Sequence, residues 1–594
     1  MLEAAADALE ANRDTLLWLL THEAGKTLAN AHGEVREAVD FLRYYAARIR
    51  STGFDERGTA LGVVVAISPW NFPLAIFVGQ IAGALAAGNV VIAKPAEQTP
   101  LVAAEAVRTL HDAGIPRAAL QLLPGDGRVG AMLTRDPRVQ GVVFTGSTDV
   151  AALIDRALAT RADDVEIPLI AETGGQNALI VDSSCLPEQV VADALTSAFD
   201  SAGQRCSALR VMCVQDDVAD RVVQMLEGAL VELHLGDPAA LVTDVGPVID
   251  AEAQQTISTH VQSMRQRAEV HSLTVQPAQM QAGTFCAPSI IEIPDLGVLE
   301  REVFGPVLHV LRYRRAELGA LIDAINALGY GLTLGIHSRI DETIDFIVAR
   351  ARVGNIYVNR NMIGAVVGVQ PFGGEGLSGT GPKAGGPLYL ERLRRPRTAA
   401  MDAALLDARR GDRPRLEALE ALRQWAERTG DASIARRCAH LAASTPLGWV
   451  MDLPGPTGET NRETLPPRGK VLCEAPDTPQ LVEQLAAVLA TGNQAVVSSR
   501  LSALLPADLP PEVRASIDVV ADVNDEAVDV ALCSGPHRAG QLQRQFAARA
   551  GRRTRVITPI DGDYPLIWLL VERVVSVNTA AAGGNATLMT LEPA

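Results

Sequence analysis

The sequence lacks several features by which other classes of protein are recognised. Its seven cysteines are scattered, with no CxxC pair and no other metal-ligand spacing, which argues against a disulfide framework and against a metal site. No apolar run is long enough to span a bilayer, and the apolar stretch 565–575 is short and carries charge. The first residues form an amphipathic, acidic pattern without the basic start of a signal peptide. These absences predict a protein of the reducing cytoplasm with no membrane span.

Positive charge is also scarce. The chain has 53 lysines and arginines against 70 acidic residues, a formal net charge of −17. Such an acidic chain is poorly suited to bind nucleic acid or an anionic membrane through its overall field. The basic run "RLRRPR" at 392–397 stands where one domain is predicted to end, so we interpret it as a solvated linker.

What is present is an ordinary globular composition. Apolar residues make up 48% of 594 positions, and this length predicts more than one domain. Helical spacing of apolar residues predicts long helices over 1–60. After them, "LGVVVAISPWNFPLAIF", "VVIAKP" and "GVVFTGST" place buried strands, glycine turns and helices in alternation. This alternation predicts an α/β fold with a doubly wound parallel sheet.

The C-terminal part contains a weak internal repeat. The segment 485–499, "LAAVLATGNQAVVSS", echoes 81–95, and "AVDVALCSG" echoes "VQGVVFTGS" in the same order. The later copy has no counterpart of the Trp-Asn pair at 70–71 or of Lys94 and Glu97. We therefore interpret it as a degenerate copy of a nucleotide-binding half that has lost its chemistry.

Cys206, in "FDSAGQRCSALR", is the first candidate for chemistry. A lone cysteine is usually a small buried hydrophobe. Here small residues surround it and a polar Gln204-Arg205 pair precedes it, and a thiolate nucleophile needs such access and polarity. The local features alone leave both interpretations open.

Two other polar residues follow predicted strands. Glu172 ends "EIPLIAE" before two glycines, so it either projects into the crevice of an open sheet or lies on a surface loop. Asn71 follows an earlier strand, where its amide can donate to an oxyanion or simply cap a turn. Both interpretations stay open for each residue on local features.

The same sheet edge is predicted to carry groups for a nucleotide. Lys94 and Glu97, in "AKPAEQTP", follow a strand and can contact ribose hydroxyls. Gly146 and Ser147 open a helix whose N-terminus suits a phosphate. No GxGxxG motif is present, so the standard dinucleotide fingerprint is absent.

Taken in order, a set of motifs resembles the aldehyde dehydrogenase superfamily over residues 1 to about 395. The motifs are "PWNFP", "AKPAEQTP", "FTGS", "ETGGQNA", "GQRCS", "EVFGPV" and "QPFGG". Within that superfamily, "AETGGQNALIVDSS" and "FDSAGQRCSALRVMCVQ" resemble the L-glutamate γ-semialdehyde dehydrogenase module of the bifunctional proline utilization A family. The tail "SVNTAAAGGNATLM" resembles the closing motif of its longer members, whose extra domain is an inactive aldehyde-dehydrogenase-like copy.

The resemblance implies a catalytic apparatus. Cys206 would be the nucleophile, and Asn71 with the Cys206 backbone N–H would form the oxyanion hole. Glu172 would activate the water that hydrolyses the thioester. An aldehyde gives up hydride readily only after a thiolate has converted it to a tetrahedral alkoxide, which amide donors stabilise.

The resemblance also implies NAD as the cofactor. A carboxylate at Glu97 would repel the 2′-phosphate of NADP, which favours NAD. Glu302 would hold the nicotinamide ribose, with Phe304 beside it, and Ser147 would meet the pyrophosphate. The complete set of implied cofactor contacts is Ile67, Pro69, Trp70, Lys94, Glu97, Gly146, Ser147, Glu302 and Phe304.

The substrate implied is L-glutamate γ-semialdehyde. The family's anchor loop corresponds to "IGAVVG", in which Gly364 and Ala365 would offer backbone N–H groups to the α-carboxylate. The Ser207 hydroxyl would add a third donor, and Phe372 would pack on the aliphatic stem. No metal is expected.

The resemblance divides the chain as follows. We predict an NAD-binding domain over 1–170, truncated at its N-terminal edge relative to the family, and a catalytic domain over 171–360. Residues 361–397 would carry the anchor loop and return to the first domain. The remaining predicted segments are a helical segment and linker over 398–470, a degenerate Rossmann-like domain over 471–575 and a C-terminal flap motif over 576–594.

The expected function is NAD-dependent oxidation of L-glutamate γ-semialdehyde to L-glutamate, the second step of proline catabolism. We expect the chain to be part of a longer polypeptide with a proline dehydrogenase half, and to form a homo-oligomer. The C-terminal domain would cover the dehydrogenase and close a passage for the intermediate. Two alternatives stay open, an inactive fragment that acts only as a scaffold and a dehydrogenase of another aldehyde.

Overall fold

The computed structural model of the chain describes residues 1–52, 58–161, 166–274, 283–401, 403–412 and 415–580. The part of the predicted C-terminal flap motif beyond Ala580 lies outside the described residues. Among the helices in these ranges, none combines the length and the apolar character that a membrane crossing requires.

Helices open the chain, as the apolar spacing predicts. They are α1 (Leu2–Ala11), α2 (Arg13–Ala24) and α3 (Leu28–Thr52), and a short strand β1 (Gly58–Ala60) follows. In α3 the buried residues Val35, Val39, Leu42 and Ala46 recur at intervals of three and four, which places them on one face of the helix. Val35, Val39 and Leu42 of this face belong to a core that the helices share with the sheet that follows.

The next segment folds as one parallel sheet, here called the N-terminal sheet. Its elements are β2 (Val63–Ile67), α4 (Ala75–Ala86), β3 (Val90–Lys94), α5 (Pro100–Asp112), β4 (Leu120–Leu122), α6 (Gly127–Arg135), β5 (Val139–Thr145), α7 (Thr148–Ala159) and β6 (Leu169–Glu172). The strand order β4-β3-β2-β5-β6 confirms the predicted doubly wound fold. The carboxyl ends of β2 and β5 flank the switch point at which such sheets bind ligands. The predicted boundary at 170 falls inside β6, which still belongs to this sheet.

The chain then builds a second α/β layer. Its elements are β7 (Ala178–Val181), α8 (Pro187–Phe199), β8 (Val211–Gln215), α9 (Asp216–Leu230), α10 (Ala251–Met264), β9 (Glu269–Ser272), β10 (Ser289–Ile293), β11 (Val307–Tyr313), α11 (Leu318–Ala327), β13 (Thr333–His337), α12 (Asp341–Arg350) and β14 (Asn355–Val358). Two short strands of this part of the chain, β12 (Tyr330–Gly331) and β15 (Glu375–Gly376), pair with each other. The chain then returns to the first domain, where α13 (Tyr389–Arg392) packs in the core of the N-terminal sheet and β16 (Arg394–Pro396) pairs with β1. Strands such as β8 are buried along their whole length, which explains their continuous apolar sequence.

The C-terminal segment adds a further sheet and extends the second layer. Its elements are β17 (Arg409–Arg410), α14 (Glu417–Thr429), α15 (Ala432–Ser444), β18 (Trp449–Leu453), β19 (Glu459–Thr464), β20 (Lys470–Glu474), α16 (Thr478–Ala490), β21 (Gln494–Ser498), α17 (Pro511–Arg514), β22 (Ile517–Val520), β23 (Val530–Cys533), α18 (Pro536–Ala547), β24 (Arg555–Ile557) and β25 (Arg573–Asn578). The order β22-β21-β20-β23-β24 defines the C-terminal sheet. Strands β17, β18, β19 and β25 continue the second layer into the long sheet, which runs in the order β17-β18-β19-β25-β14-β13-β7-β8-β11-β10-β9.

Two predictions need correction here. The segment 398–470 is not only helix and linker, because β19 pairs with β25 and carries the buried residues Asn461 and Glu463. The run 392–397 is only partly solvated, because Arg395, Pro396 and Arg397 are exposed while the first half is buried. Arg392 pairs with Glu166, and Arg394, only 3% exposed, donates to the carbonyl of Gly58. These arginines find acceptors on other elements, which a local charge pattern does not reveal.

Candidate active site

Cys206 lies in a tight turn between α8 and β8. After α8, Ser201, Ala202 and Gly203 have positive φ values of 56°, 55° and 67°. A Cβ on Gly203 would lie 2.2 Å from the carbonyl oxygen of Gly305, so only glycine fits that close approach. Among the chain's cysteines, all of which lie in the described ranges as free thiols, Cys206 alone is not fully buried.

The turn is fixed by a residue that the sequence did not single out. The Asn177 amide donates to the carbonyl of Cys206 at 2.7 Å and to that of Ala208 at 2.9 Å. Its oxygen accepts from the backbone N–H of Thr333. Asn177 stands in "ETGGQNA", a motif that carries the resemblance, and this was the available signal.

The environment of the Cys206 thiol favours its protonated form. Burial raises the pKa of Cys206 to about 12, and the nearby carboxylates of Glu302 and Glu172 add to the effect. A thiol with this pKa is protonated at neutral pH, and only the thiolate is a strong nucleophile. Chemistry at this sulfur therefore needs a proton acceptor.

Glu172 is the candidate acceptor, because it lines the same cavity as Cys206. It is the last residue of β6, and its Oε2 accepts a hydrogen bond from the N–H of Gly374 at 3.0 Å. Burial raises the pKa of Glu172 to about 8. A carboxylate with a pKa near neutrality can take up and release a proton under working conditions, as a general base must.

Asn71 also reaches the nucleophile turn. Its amide nitrogen donates to the carbonyl of Gln204, two residues before Cys206, at 3.0 Å. Next to it, the ring of Trp70 meets that of Phe304 edge-on at 5.6 Å. The structure thus brings together, at one turn, residues that lie far apart in the sequence.

Arg210 is a second residue that the sequence did not single out. It is 1% exposed, and its guanidinium pairs with Oε1 of Glu302 at 2.9 Å. It also donates to the carbonyl of Gly203 and lies 5.1 Å from the centre of the Phe304 ring. A charged residue inside the apolar run "SALRVMCV" was the sequence signal for such a buried pair.

The edge of the N-terminal sheet carries a donor and acceptor set that fits a dinucleotide. Lys94 Nζ lies 3.7 Å from Oε2 of Glu97, just past the end of β3. Ser147 caps α7 by accepting from the N–H of Val150, which leaves its hydroxyl hydrogen to donate at the helix N-terminus. Carboxylates suit ribose hydroxyls and a helix start suits a pyrophosphate. Ile67 is the last residue of the adjoining β2, and Pro69 follows two residues later.

A cavity of about 420 Å³ adjoins the thiol. Its wall holds the candidate catalytic pair, Cys206 and Glu172, and every residue that the resemblance assigns to the substrate. It also holds groups that the sequence did not single out. The lining residues that matter here are Cys206, Glu172, Ser207, Gly364, Ala365, Phe372, Phe72, Arg205 and Glu37.

Comparisons with known proteins give similarity along the whole chain. A profile of the aldehyde dehydrogenase family matches residues 1–399. The Bifunctional protein PutA of Escherichia coli (strain K12) is 52% identical over 613 residues, which cover 100% of this chain and 46% of that protein. The 1-pyrroline-5-carboxylate dehydrogenase 1 of Halalkalibacterium halodurans is 36% identical over 407 residues, covering 66% of this chain and 78% of that protein.

Solved structures extend the likeness to the C-terminal segment. The structure of Proline Utilization A (PutA) from Corynebacterium freiburgense matches 97% of this chain and 56% of its own length, with a TM-score of 0.77 and 30% identity. The chain spans 46% of the Escherichia coli PutA protein and 48% of its counterpart from Rhizobium meliloti, or about half of each.

Proposed function

Because the chain belongs to the aldehyde dehydrogenase family, we propose that it oxidises L-glutamate γ-semialdehyde to L-glutamate with NAD as the hydride acceptor. The observation that carries the proposal is the shared cavity, whose wall holds Cys206 and Glu172 together with the residues assigned to the substrate. The names of the PutA and 1-pyrroline-5-carboxylate dehydrogenase relatives support the choice of substrate.

The proposal extends to the rest of the protein. Since the chain spans about half of its PutA relatives, we propose that it works within a longer polypeptide that carries a proline dehydrogenase half, as a homo-oligomer. Its free thiols are what a reducing compartment predicts, so the cytoplasm remains the expected location.

The chemistry begins at Cys206. As the sulfur bonds to the aldehyde carbon, its proton passes to Glu172 and the carbonyl oxygen becomes an alkoxide. This carbon would then give up its hydride to the acceptor that bound NAD supplies, which leaves a thioester on the sulfur. Glu172 must first release the thiol proton to solvent. Its carboxylate then takes a proton from water, whose oxygen attacks the thioester carbon, and this proton passes to the departing Cys206 sulfur, which frees the acid and restores the thiol.

The alkoxide needs donors at the moment it forms. The Asn71 amide and the N–H of Cys206 lie at the same turn and supply them in this proposal. The Asn71 amide donates to the Gln204 carbonyl, and in this proposal it exchanges that acceptor for the alkoxide. Preorganised donors of this kind are among the largest contributions to catalysis.

We propose that hydrogen bonds hold the carboxylate end of the substrate and that apolar packing holds its aliphatic stem. The backbone N–H groups of Gly364 and Ala365, with the hydroxyl of Ser207, are proposed to bind the α-carboxylate. Phe372 would cover the aliphatic stem. An aldehyde without the carboxylate leaves these donors unpaired, and a site built for hydrogen bonds rejects such an analogue strongly.

The NAD contacts are proposed at the edge of the N-terminal sheet. Glu97 and Lys94 would hold the adenosine ribose, the helix start at Gly146-Ser147 the pyrophosphate, and Glu302 the nicotinamide ribose. Trp70 and Phe304 meet beside that position. The geometry of the strand ends and the helix start supports this placement.

Replacing the nucleophile tests the proposal. Cys206→Ala should lower the rate of NADH formation from the semialdehyde by at least about 10³-fold, because no other group can form the thioester. Cys185→Ala, at a buried thiol of the same layer, is the matched control and should keep the wild-type rate. Full activity of the Cys206→Ala variant would contradict the proposed mechanism.

The same assay separates the alternatives. Equal kcat/KM for the semialdehyde and for a simple aliphatic aldehyde would favour a dehydrogenase of another substrate. A chain that only serves as a scaffold would show no rise in Tm with NAD, whereas a binder is stabilised by about 2.7 kcal/mol at a hundred times its Kd.

A further inference from the structure

A buried lysine stands behind the candidate base. Lys383 is only 2% exposed. Its ammonium donates to the carbonyl of Gly373 at 2.5 Å and to Oδ1 of Asn355 at 2.7 Å. A buried ammonium is costly unless an opposite charge compensates it, and both of these acceptors are neutral. The compensating charge must come from elsewhere.

Two carboxyl groups of the C-terminal segment supply it. Glu572 accepts a hydrogen bond from the backbone N–H of Lys383 at 2.9 Å. Glu463 is fully buried on β19, opposite Val574 of β25. Both carboxyl groups attract the ammonium of Lys383. Neither belongs to the span 1–399 that matches the family profile, so the C-terminal segment reaches into the dehydrogenase here.

The lysine reaches the candidate base through a single turn. Gly373, whose carbonyl it holds, is followed by Gly374, whose N–H donates to Glu172. Glycines pack closely around the Glu172 carboxylate. A Cβ on Gly373 would lie 2.7 Å from Oε1 of Glu172, and a Cβ on Gly379 would lie 3.0 Å from both carboxylate oxygens of Glu172. A displacement of Gly373 must therefore move the carboxylate as well.

We propose that Lys383 is a positioning residue for Glu172, and that Glu572 and Glu463 hold it in place, so that the C-terminal segment takes part in orienting the base. The inference rests on the proposed function, in which Glu172 acts as the base. It gives the C-terminal segment a part in the reaction, although none of that segment's described residues up to Ala580 lines the catalytic cavity.

The charges of Lys383 and Glu572 shift the pKa of Glu172 in opposite directions. Burial raises the pKa of Glu172, while the positive charge of Lys383 lowers it and the negative charge of Glu572 raises it. Burial and the neighbouring Glu572 raise the pKa of Glu463 well above its ordinary value. The other titratable groups that face the cluster or the base are Glu375, Arg468, Arg48, Tyr44, Tyr45, Tyr389 and Cys206.

The test compares pH profiles of kcat. Lys383→Met and Glu572→Gln are made in the full chain, and NADH formation from the semialdehyde is followed against pH. We expect the acidic limb to move to higher pH in the first variant and to lower pH in the second. For Lys383→Met, each pH unit of displacement lowers kcat below the limb by about tenfold. KM for the aldehyde should change little, because neither side chain lines the catalytic cavity.

A matched control lies on the same strand as Glu463. Arg462 is exposed and pairs with Asp452 at 3.2 Å on the surface, so Arg462→Gln should keep the wild-type profile. Two outcomes would overturn the proposal and leave the cluster a structural role only. In one, the acidic limb of the kcat profile stays in place while Tm falls. In the other, the limb moves in the same direction in both test variants.

Two further measurements cover the remaining outcomes. If Lys383→Met leaves Glu572 uncompensated and fails to fold, the double variant with Glu572→Gln removes both charges. Its limb should lie at higher pH than that of Glu572→Gln alone. Alkylation of Cys206 by iodoacetamide reports the same limb without any aldehyde. If the wild type fails to oxidise the semialdehyde, the proposed function is wrong, and the alkylation profiles still decide the role of Lys383.

Discussion

The N-terminal and C-terminal sheets share an architecture and differ at their rims. The N-terminal sheet has the strand order β4-β3-β2-β5-β6 and the C-terminal sheet has the order β22-β21-β20-β23-β24. Numbered from the first strand of each sheet, both orders are 3-2-1-4-5, and all neighbouring strands are parallel. The equivalent helices α7 and α18 pack against each other. The two sheets can therefore be compared residue by residue.

What they share lies beneath the rim. Gly62 and Gly469 precede the first strands with φ of 126° and 129°, a region that favours glycine. Each donates its N–H to an asparagine side chain, Asn89 in one sheet and Asn493 in the other, at 3.0 and 2.7 Å. These matched hydrogen bonds tie the start of the first strand to the end of the following helix in both sheets.

What differs lies at the carboxyl ends of the strands. Strand β3 ends in Lys94, and its equivalent β21 ends in Ser498. The N-cap Ser147 of α7 has no counterpart in α18, which begins at Pro536. The fold thus depends on buried hydrogen bonds that both sheets share, whereas the proposed NAD site depends on a few rim residues that the C-terminal sheet lacks.

The turn after the first strand should show the largest difference between the sheets. Asn71→Ala removes a proposed oxyanion donor and should lower kcat by about 10²–10³-fold with little change in Tm. In the other sheet, Asp477 caps α16 by accepting from the N–H of Gln480. Asp477→Ala should cost ~1 kcal/mol of stability and leave kcat unchanged.

Steady-state kinetics and calorimetry on both variants check this pair. An Asn71 variant that keeps its kcat would show that the first turn, like the second, is only structural. A loss of activity in the Asp477 variant would instead give the C-terminal sheet a part in the reaction beyond the cluster at Lys383.

The sequence predicts the local features of this comparison and misses the distant ones. Strands, turns and the candidate pair Cys206 and Glu172 follow from apolar runs, glycines and motifs. The partners Asn177 and Lys383 do not, since their roles come from contacts with residues far away in the chain. Strand β19 is hidden in a Pro- and Gly-rich segment, because its pairing with β25 decides its conformation and local propensity does not.

A buried glutamine that both sheets keep should give a smaller, purely structural effect in one of them. Gln484 donates to the carbonyl of Glu474, to Ser534 and to Tyr564, and it is 0% exposed. Gln484→Ala should destabilise the protein by about 1–3 kcal/mol, because these groups lose a buried partner, and should leave kcat unchanged.

The equivalent Gln80 supplies the contrast. It binds Ser68 and Thr145, which precede the Asn71 turn and the helix start at Gly146-Ser147. Gln80→Ala should therefore lower both Tm and the affinity for NAD. Equal effects of the two glutamine variants on NAD affinity, measured by calorimetric titration, would contradict the assignment of the cofactor to the N-terminal sheet alone.

The smallest effect is expected for Glu474, which lies at the carboxyl end of a strand in the C-terminal sheet. Strand β20 ends in Glu474, where β2 ends in the apolar Ile67. The Glu474 carboxylate accepts from Arg500 at 2.6 Å and from Arg538 at 2.8 Å. Glu474→Gln keeps the shape of the side chain, and the partners are 55% and 34% exposed, so the change in stability should stay below about 1 kcal/mol.

The informative quantity for this variant is the number of NAD molecules bound per chain. Removing the negative charge of Glu474 makes the crevice at this strand end more favourable for an anionic ligand. The variant still has no counterparts of Lys94 and Glu97, the proposed ribose partners, or of the Ser147 hydroxyl. Calorimetric titration should therefore give a single NAD site in wild type and variant alike. A second site in the variant would mean that one carboxylate, rather than the loss of the whole rim, keeps the C-terminal sheet empty.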